Sequence, residues 1–177
     1  MRRSGARIHV VMGVAGSGKS VIGAAFARAV GVSFVDGDDY HSAESIARMA
    51  AGIPLTDEDR SAWLRLLADR LREAKRESVG LVMACSALKR AYRDVLRGGA
   101  PDMQLVFLDG PRSLIAERLA SRRGHFMPAL LLDSQLETLE PPTPDEHAWV
   151  VDVRASPGEI VAELVRLARN LLNSRSG

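Results

Sequence analysis

Residues 13–20 read Gly13-Val14-Ala15-Gly16-Ser17-Gly18-Lys19-Ser20, a complete G-x-x-x-x-G-K-[ST] run. The apolar stretch Ile8 to Met12 precedes it and the helix-compatible Val21 to Ala27 follows it. Strand, loop and helix therefore come in the order that phosphate binding requires. Glycines let the backbone wrap a polyphosphate with successive N–H groups pointing at its oxygens, and the helix that follows aims its positive end at the same charge. Lys19 is predicted to neutralise the β and γ phosphates, and Ser20 to hold Mg²⁺ through its hydroxyl. All eight residues, Gly13, Val14, Ala15, Gly16, Ser17, Gly18, Lys19 and Ser20, are assigned to a bound nucleoside triphosphate.

Composition supports a special role for Lys19. Only three of the 24 basic residues are lysines, Lys19, Lys75 and Lys89, and the rest are arginines. A compact ammonium is what a phosphate loop needs at that place, and a guanidinium does not substitute for it. With 177 residues, 46% apolar and 26% charged, the chain is expected to form one domain, 1–177, with a core that needs no metal or disulfide. A formal charge of +2 gives no argument for nucleic acid. The single cysteine, Cys85, excludes an internal disulfide and fits a reducing compartment. No apolar run approaches a membrane span, and a cytoplasmic protein is expected.

Short apolar runs alternate with longer amphipathic ones. Ile8 to Met12, Ser33 to Val35, Leu81 to Cys85, Gln104 to Leu108 and Trp149 to Val153 are predicted strands. A capping-box pattern, Thr56-Asp57-Glu58-Asp59, opens a helix carrying Trp63, Leu64, Leu66, Leu67 and Leu71. Another helix is expected from Pro111, and a last one from about Ser156 to Leu172. The alternation predicts an α/β fold: a parallel sheet covered by helices on both faces, with ligands at the carboxyl ends of the strands. The segment at about 122–143 breaks the rhythm and reads as a helical lid.

The second strand runs into Asp36-Gly37-Asp38-Asp39-Tyr40-His41. Asp36 suits orienting Mg²⁺ and Asp38 suits accepting a proton from an attacking hydroxyl, although Asp-Gly-Asp is also common in acidic turns. Asp109 is a competing carboxylate that reads better as a turn residue. Arg118, Arg122, Arg123 and His125 gather at the start of the lid, and Arg118 and Arg122 are four apart on one helix. Arg118 and Arg122 are predicted to close over the triphosphate, stabilise the migrating phosphoryl group and exclude water.

Taken together, these residues resemble the gluconate kinase family. The resemblance rests on the phosphate loop, on Asp36-Gly37-Asp38 with His41, and on Met49 to Arg60 with Gly52-Ile53-Pro54-Leu55 and then Trp63-Leu64. It extends through Cys85-Ser86-Ala87-Leu88-Lys89 with Tyr92-Arg93, Arg123-Gly124-His125-Phe126, and Gln135 to Pro142. It covers nearly the whole chain. It implies ATP-dependent phosphorylation of D-gluconate on its 6-hydroxyl with Mg²⁺, a three-layer adenylate-kinase-like fold with a five-stranded parallel sheet, and a homodimer. Ser42, Ser45 and Arg48 depart from the family's usual proline, asparagine and lysine.

A polyhydroxy acid needs a cation for its carboxylate and hydrogen-bond partners for its hydroxyls. Arg48, Arg60, Lys89 and Arg93 are the cation candidates. Asp38, His41, Ser86 and His125 complete the expected substrate set, beside the catalytic set Lys19, Asp38, Arg118 and Arg122 and the metal pair Ser20 and Asp36. Other classes fit less well. The only asparagines, Asn170 and Asn173, cannot form a guanine-reading motif, and Ser86-Ala87-Leu88 lacks the glycine triplet expected of a shikimate kinase. A regulatory module that had lost catalysis would show damage to Lys19, Asp38 or the lid arginines, and all are present.

Overall fold

A computed structural model describes residues 7–122 and 129–174. Five strands, β1 (Ile8–Met12), β2 (Ser33–Asp36), β3 (Leu81–Ala84), β4 (Gln104–Asp109) and β5 (Trp149–Asp152), form one parallel sheet in the order β2-β3-β1-β4-β5. The chain leaves β1 for the β2 edge, returns through β3 and crosses β1 to reach β4. That reversal opens a crevice beyond the carboxyl end of β1, where the phosphate loop stands.

Alternation along β1 builds the layers. Val10 and Met12 join one core with Trp63, Leu64, Leu67 and Leu71 of α3 (Asp57–Arg76) and Tyr92 and Leu96 of α4 (Arg90–Gly99). Val11 joins the other with Ile22 and Phe26 of α1 (Lys19–Val30), Ile115 of α5 (Arg112–Ser121), and Ile160 and Leu164 of α7 (Pro157–Ser174). Side chains point alternately to the two faces of a strand, so near-continuous apolar strands are what a sheet buried on both sides demands. α2 (Ala43–Ala50) lies between β2 and α3 in the chain, and α6 (Ala129–Thr138) follows α5. No helix of the described residues is long and apolar enough to cross a membrane.

Local signals explain the boundaries. Thr56 Oγ1 accepts from the Asp59 N–H at 3.2 Å and Asp59 Oδ2 accepts from the Thr56 N–H at 2.8 Å, the reciprocal box that starts α3. Leu66, expected on the apolar stripe, is 52% exposed, because it stands about 100° round the axis from Leu67. Pro111 is the residue before α5 rather than its first member, and α5 ends at Ser121, leaving Arg122 in extended geometry. β2 and β4 each run one residue further than their apolar stretch, to Asp36 and Asp109, because backbone pairing continues past the last buried side chain. Within α6, Leu131 and Leu132 are buried and Leu132 joins the second core.

Candidate active site

The phosphate loop takes a backbone path that requires glycine at two positions. Gly18, the residue before α1, has φ +97°, and Gly16 has φ +81° with a would-be Cβ 2.6 Å from Leu119 Cγ. A side chain at either position would strain the turn, and at Gly16 it would strike α5 as well. Lys19, the first residue of α1, folds back so that Nζ donates to the Val14 carbonyl at 3.0 Å. Burial lowers its pKa, the carboxylates of Asp38 and Asp36 oppose that shift, and the positive charge of Arg122 reinforces it. Lys19, Asp36, Asp38 and Arg122 therefore share one electrostatic neighbourhood.

Two carboxylates face this loop from the end of β2. Ser20 Oγ donates to Asp36 Oδ2, while Asp36 Oδ1 accepts from the Asp38 N–H at 3.0 Å and so caps the short turn Gly37–Tyr40. Gly37 is buried; a Cβ there would lie 2.6 Å from the Ala84 carbonyl oxygen, and its own carbonyl accepts from Trp63 Nε1 at 2.7 Å. The Asp-Gly-Asp sequence is thus a close approach of backbone to backbone that sends its two acids into different surroundings. Asp38 is exposed, with His41 Nε2 at 3.8 Å from Oδ1. The His41 ring stacks on Trp63, centroids 4.2 Å apart and planes 16° from parallel. Burial lowers the His41 pKa, Asp38 pulls it up and Arg60 pushes it down, so His41 lies between an acid and a base.

A second polar group continues from there. Arg60 Nη1 donates to Tyr92 Oη at 3.2 Å, Tyr92 donates to Asp57, and Lys89 Nζ donates to both Asp57 oxygens at 3.0 and 3.1 Å. Arg60 and Lys89 each stand 5.6 Å from the centre of the Tyr92 ring. Two cations thus converge on one exposed carboxylate. Ser86 begins the turn that leads to Lys89, and its carbonyl accepts from the Gly13 N–H at 3.4 Å, joining this turn to the phosphate loop.

Known proteins resemble this chain along most of its length. A protein-family model described as an AAA domain matches residues 8–142. A gluconokinase of Gluconobacter oxydans is 44% identical over 160 residues, covering 90% of each chain. The solved structure of a gluconokinase from Sinorhizobium meliloti superposes with a TM-score of 0.83 at 49% identity, covering 98% of this chain and 99% of that one. The chain belongs to the gluconokinase family. A solved sugar kinase from Janibacter, unliganded, is equally near, with a TM-score of 0.87 and 48% identity over 91% of this chain and 93% of that one.

Ser42 and Ser45 act together at the start of α2. Ser42 Oγ accepts from the Ser45 N–H and donates to Ser45 Oγ, both at 3.1 Å, so the pair caps α2. Arg48 is held by Asp59 at 3.1 Å. Arg118 Nη2 donates to the Val153 carbonyl at 2.7 Å, which fixes it against the turn after β5, whereas Arg122 is exposed beyond the end of α5. His125 falls outside the described residues. Cys85 is buried and its thiol is pushed up to about 12, mainly by that burial, which leaves no reactive thiolate.

Arg93 is a correction to the list of carboxylate ligands. It is wholly buried, and its guanidinium is committed to Glu146 and to backbone carbonyls, so it cannot meet a substrate. Asp57, Tyr92 and Gln135 also stand in this neighbourhood, though none is among the site residues expected from the sequence. In the sequence Asp57 stands out as part of a helix cap and of the Met49 to Arg60 stretch, with no side-chain role attached. Gln135 Oε1 accepts from the Ala15 N–H of the phosphate loop at 2.7 Å across 120 residues, a contact that no local pattern announces.

Proposed function

We propose that this gluconokinase transfers the γ-phosphoryl group of ATP to the 6-hydroxyl of D-gluconate, giving 6-phospho-D-gluconate and ADP. The observation that carries the reading is the continuity of the two polar groups: Lys19, Asp36 and Asp38 at the phosphate loop, then His41, Arg60, Tyr92 and Lys89 leading away from Asp38. An extended sugar acid fits such a line, with its terminal hydroxyl at Asp38 and its carboxylate taking the place of the Asp57 carboxylate between Lys89 and Arg60. Ser86 and His41 are suited to the intermediate hydroxyls, and Arg48 and His125 complete the assigned substrate set.

The backbone N–H groups of residues 13–20 and the ammonium of Lys19 hold the phosphates. Asp38 accepts the proton as the O6 oxygen attacks the γ-phosphorus. The bond from that phosphorus to the β–γ bridging oxygen breaks, and its electron pair leaves with ADP. Arg122 and Arg118 supply positive charge to the phosphoryl group in flight. Ser20 and Asp36 present adjacent hard oxygens that fit Mg²⁺. Bound there, the ion neutralises phosphate charge. Residues 122–143 act as the lid of a single domain spanning 1–177, and the Gln135 contact with Ala15 supports a lid that rests on the nucleotide loop. The enzyme is further read as a cytoplasmic homodimer, in keeping with its one free buried cysteine and with the family resemblance.

The test is ADP release by purified protein with Mg²⁺-ATP against gluconate, other aldonic acids, shikimate, AMP and no acceptor. Selective turnover with gluconate is expected. Turnover only with another acceptor overturns the substrate and keeps the kinase. Light scattering of the same sample reads the dimer.

A further inference from the structure

The buried side chain of Arg93 is unusual in what it holds. Its Nε and Nη2 donate to the two oxygens of Glu146, each at 2.7 Å. Its Nη1 donates to three carbonyls, Ala87 at 3.0 Å, Leu88 at 3.1 Å and Glu140 at 3.0 Å. Both side chains of the pair are essentially sealed from water. Burial pushes the Glu146 carboxyl up, but hydrogen bonds from Arg93 and Arg97 outweigh that and hold it at about 2. A buried ion pair gives little net stability over apolar residues of the same volume, so stability alone does not account for it. Geometry does, because only a planar fork with five donors reaches a carboxylate and carbonyls from two separate segments.

Those two segments are the acceptor turn and the base of the lid. Ala87 lies in the left-handed region at φ +47°, a conformation that a residue with a side chain rarely adopts without outside support. The turn buries Ala87 in the first core and Leu88 in the second, passes its Ser86 carbonyl to Gly13, and delivers Lys89 to Asp57. The lid base is stapled to the same place. The Glu140 N–H donates to the Leu88 carbonyl at 2.8 Å, and Glu140 Oε2 accepts from the Arg90 N–H at 2.7 Å, capping α4 from 50 residues away where Lys89 supplies no side-chain cap.

We infer that Arg93, with Glu146, is a positioning residue that sets the conformation of the Ser86–Lys89 acceptor turn and locks the base of the 129–142 segment to it, so that the acceptor pocket and the lid base move as one body. The inference rests on the reading of Ser86 and Lys89 as acceptor-site residues. Its consequence is selective: disturbing Arg93 displaces the pocket for the sugar acid more than the nucleotide loop, which meets the turn and the segment through single hydrogen bonds, Gly13 to Ser86 and Ala15 to Gln135, and otherwise stands between β1 and α1.

The experiment compares wild type with R93M/E146L, which leaves no unpaired buried charge, and with R93K, which keeps the ion pair but cannot reach all three carbonyls. Each folded variant is expected to show a KM for gluconate raised about tenfold or more, as loss of alignment by about 1 Å can do, with the Kd for an ATP analogue within about twofold of wild type. Hydrogen exchange of the ligand-free proteins is expected to rise together in peptides covering 86–90 and 138–143. A folded variant with wild-type KM overturns the inference, as does one that loses ATP and gluconate affinity equally. If the double variant does not fold, R93K alone decides between these outcomes. Exchange that rises in one segment and not in the other separates the two and overturns the coupling. This arm needs no substrate, so it stays readable if wild type proves inactive with gluconate, the result that would sink the acceptor assignment instead.

Discussion

Ser20 and Asp36 meet across the intervening strand β3: the hydroxyl that ends the phosphate loop donates to the carboxylate that ends β2. Two hard oxygens side by side, one of them anionic, form the edge of a magnesium site. Asp36→Ala is expected to raise the Mg²⁺ concentration needed for half-maximal activity by about 10–100-fold at fixed ATP, the usual cost of losing a direct or outer-sphere metal partner. An unchanged Mg²⁺ titration removes Asp36 from that role.

Asp38 is exposed at the mouth of the site and shares its field with Lys19 and His41. If Asp38 is the proton acceptor, removing its negative charge takes that function away while the backbone of the phosphate cradle keeps its shape. Asp38→Asn is expected to lower kcat by about 10²–10⁴-fold with ATP affinity nearly intact. Single-turnover kinetics beside equilibrium nucleotide binding measure both. Near-normal turnover would mean that Asp38 only lines the pocket.

Arg122 acts on Lys19 from beyond the end of α5, while Arg118 is tied to Val153. The two arginines are therefore expected to differ. Arg122→Ala should depress phosphoryl transfer and raise ATP hydrolysis in the absence of acceptor, because the site no longer excludes water. Arg118→Ala should also loosen the turn after β5, visible as a lowered Tm. Indistinguishable kinetics and Tm for the two variants contradict this division.

Lys89 and Arg60 converge on Asp57 and Tyr92. If the substrate carboxylate takes that place, Lys89→Met raises KM for gluconate by more than tenfold and leaves KM for ATP within about twofold, since only ground-state binding of the acid is lost. The variant should also lose its preference for gluconate over the uncharged polyol of the same length. Retained discrimination between acid and polyol places the carboxylate elsewhere.

His9 gives a pH signature remote from the site. It is 3% exposed in β1, edge-on to Phe26 and beside Trp149, its Nδ1 has no hydrogen-bond partner among the described residues, and burial, aided by Arg7, lowers its pKa to about 4. The folded protein keeps the ring neutral, whereas the unfolded chain takes up a proton near 6.5. Stability from this group is therefore full above about 6.5, falls as pH drops, and stops falling below about 4, a loss of about 3 kcal/mol across that window. His9→Leu should flatten the stability slope between those limits by one proton, read from denaturant melts at several pH values. An unaltered slope shows that His9 does not govern it.

The nucleotide half of this protein is legible in the order of its residues. A phosphate loop is a local object: its glycines, its lysine and the strand and helix around it are consecutive, so Gly13 to Ser20 could be read directly, and so could the Thr56–Asp59 box and the alternation that makes a five-stranded parallel sheet. The cluster proposed to bind the acceptor depends instead on packing. Asp57, Lys89 and Tyr92 come from two helix starts more than 30 residues apart, Gln135 reaches the loop from 120 residues away, and Arg93 proves to be a buried tie instead of a surface ligand. The physical reason is the range over which each contact is fixed. Hydrogen bonds within a turn or a cap depend on neighbours in the chain, whereas the partner of a long cationic side chain depends on which helices the sheet packs side by side, and charge and spacing alone leave a guanidinium free to face water, substrate or a buried glutamate.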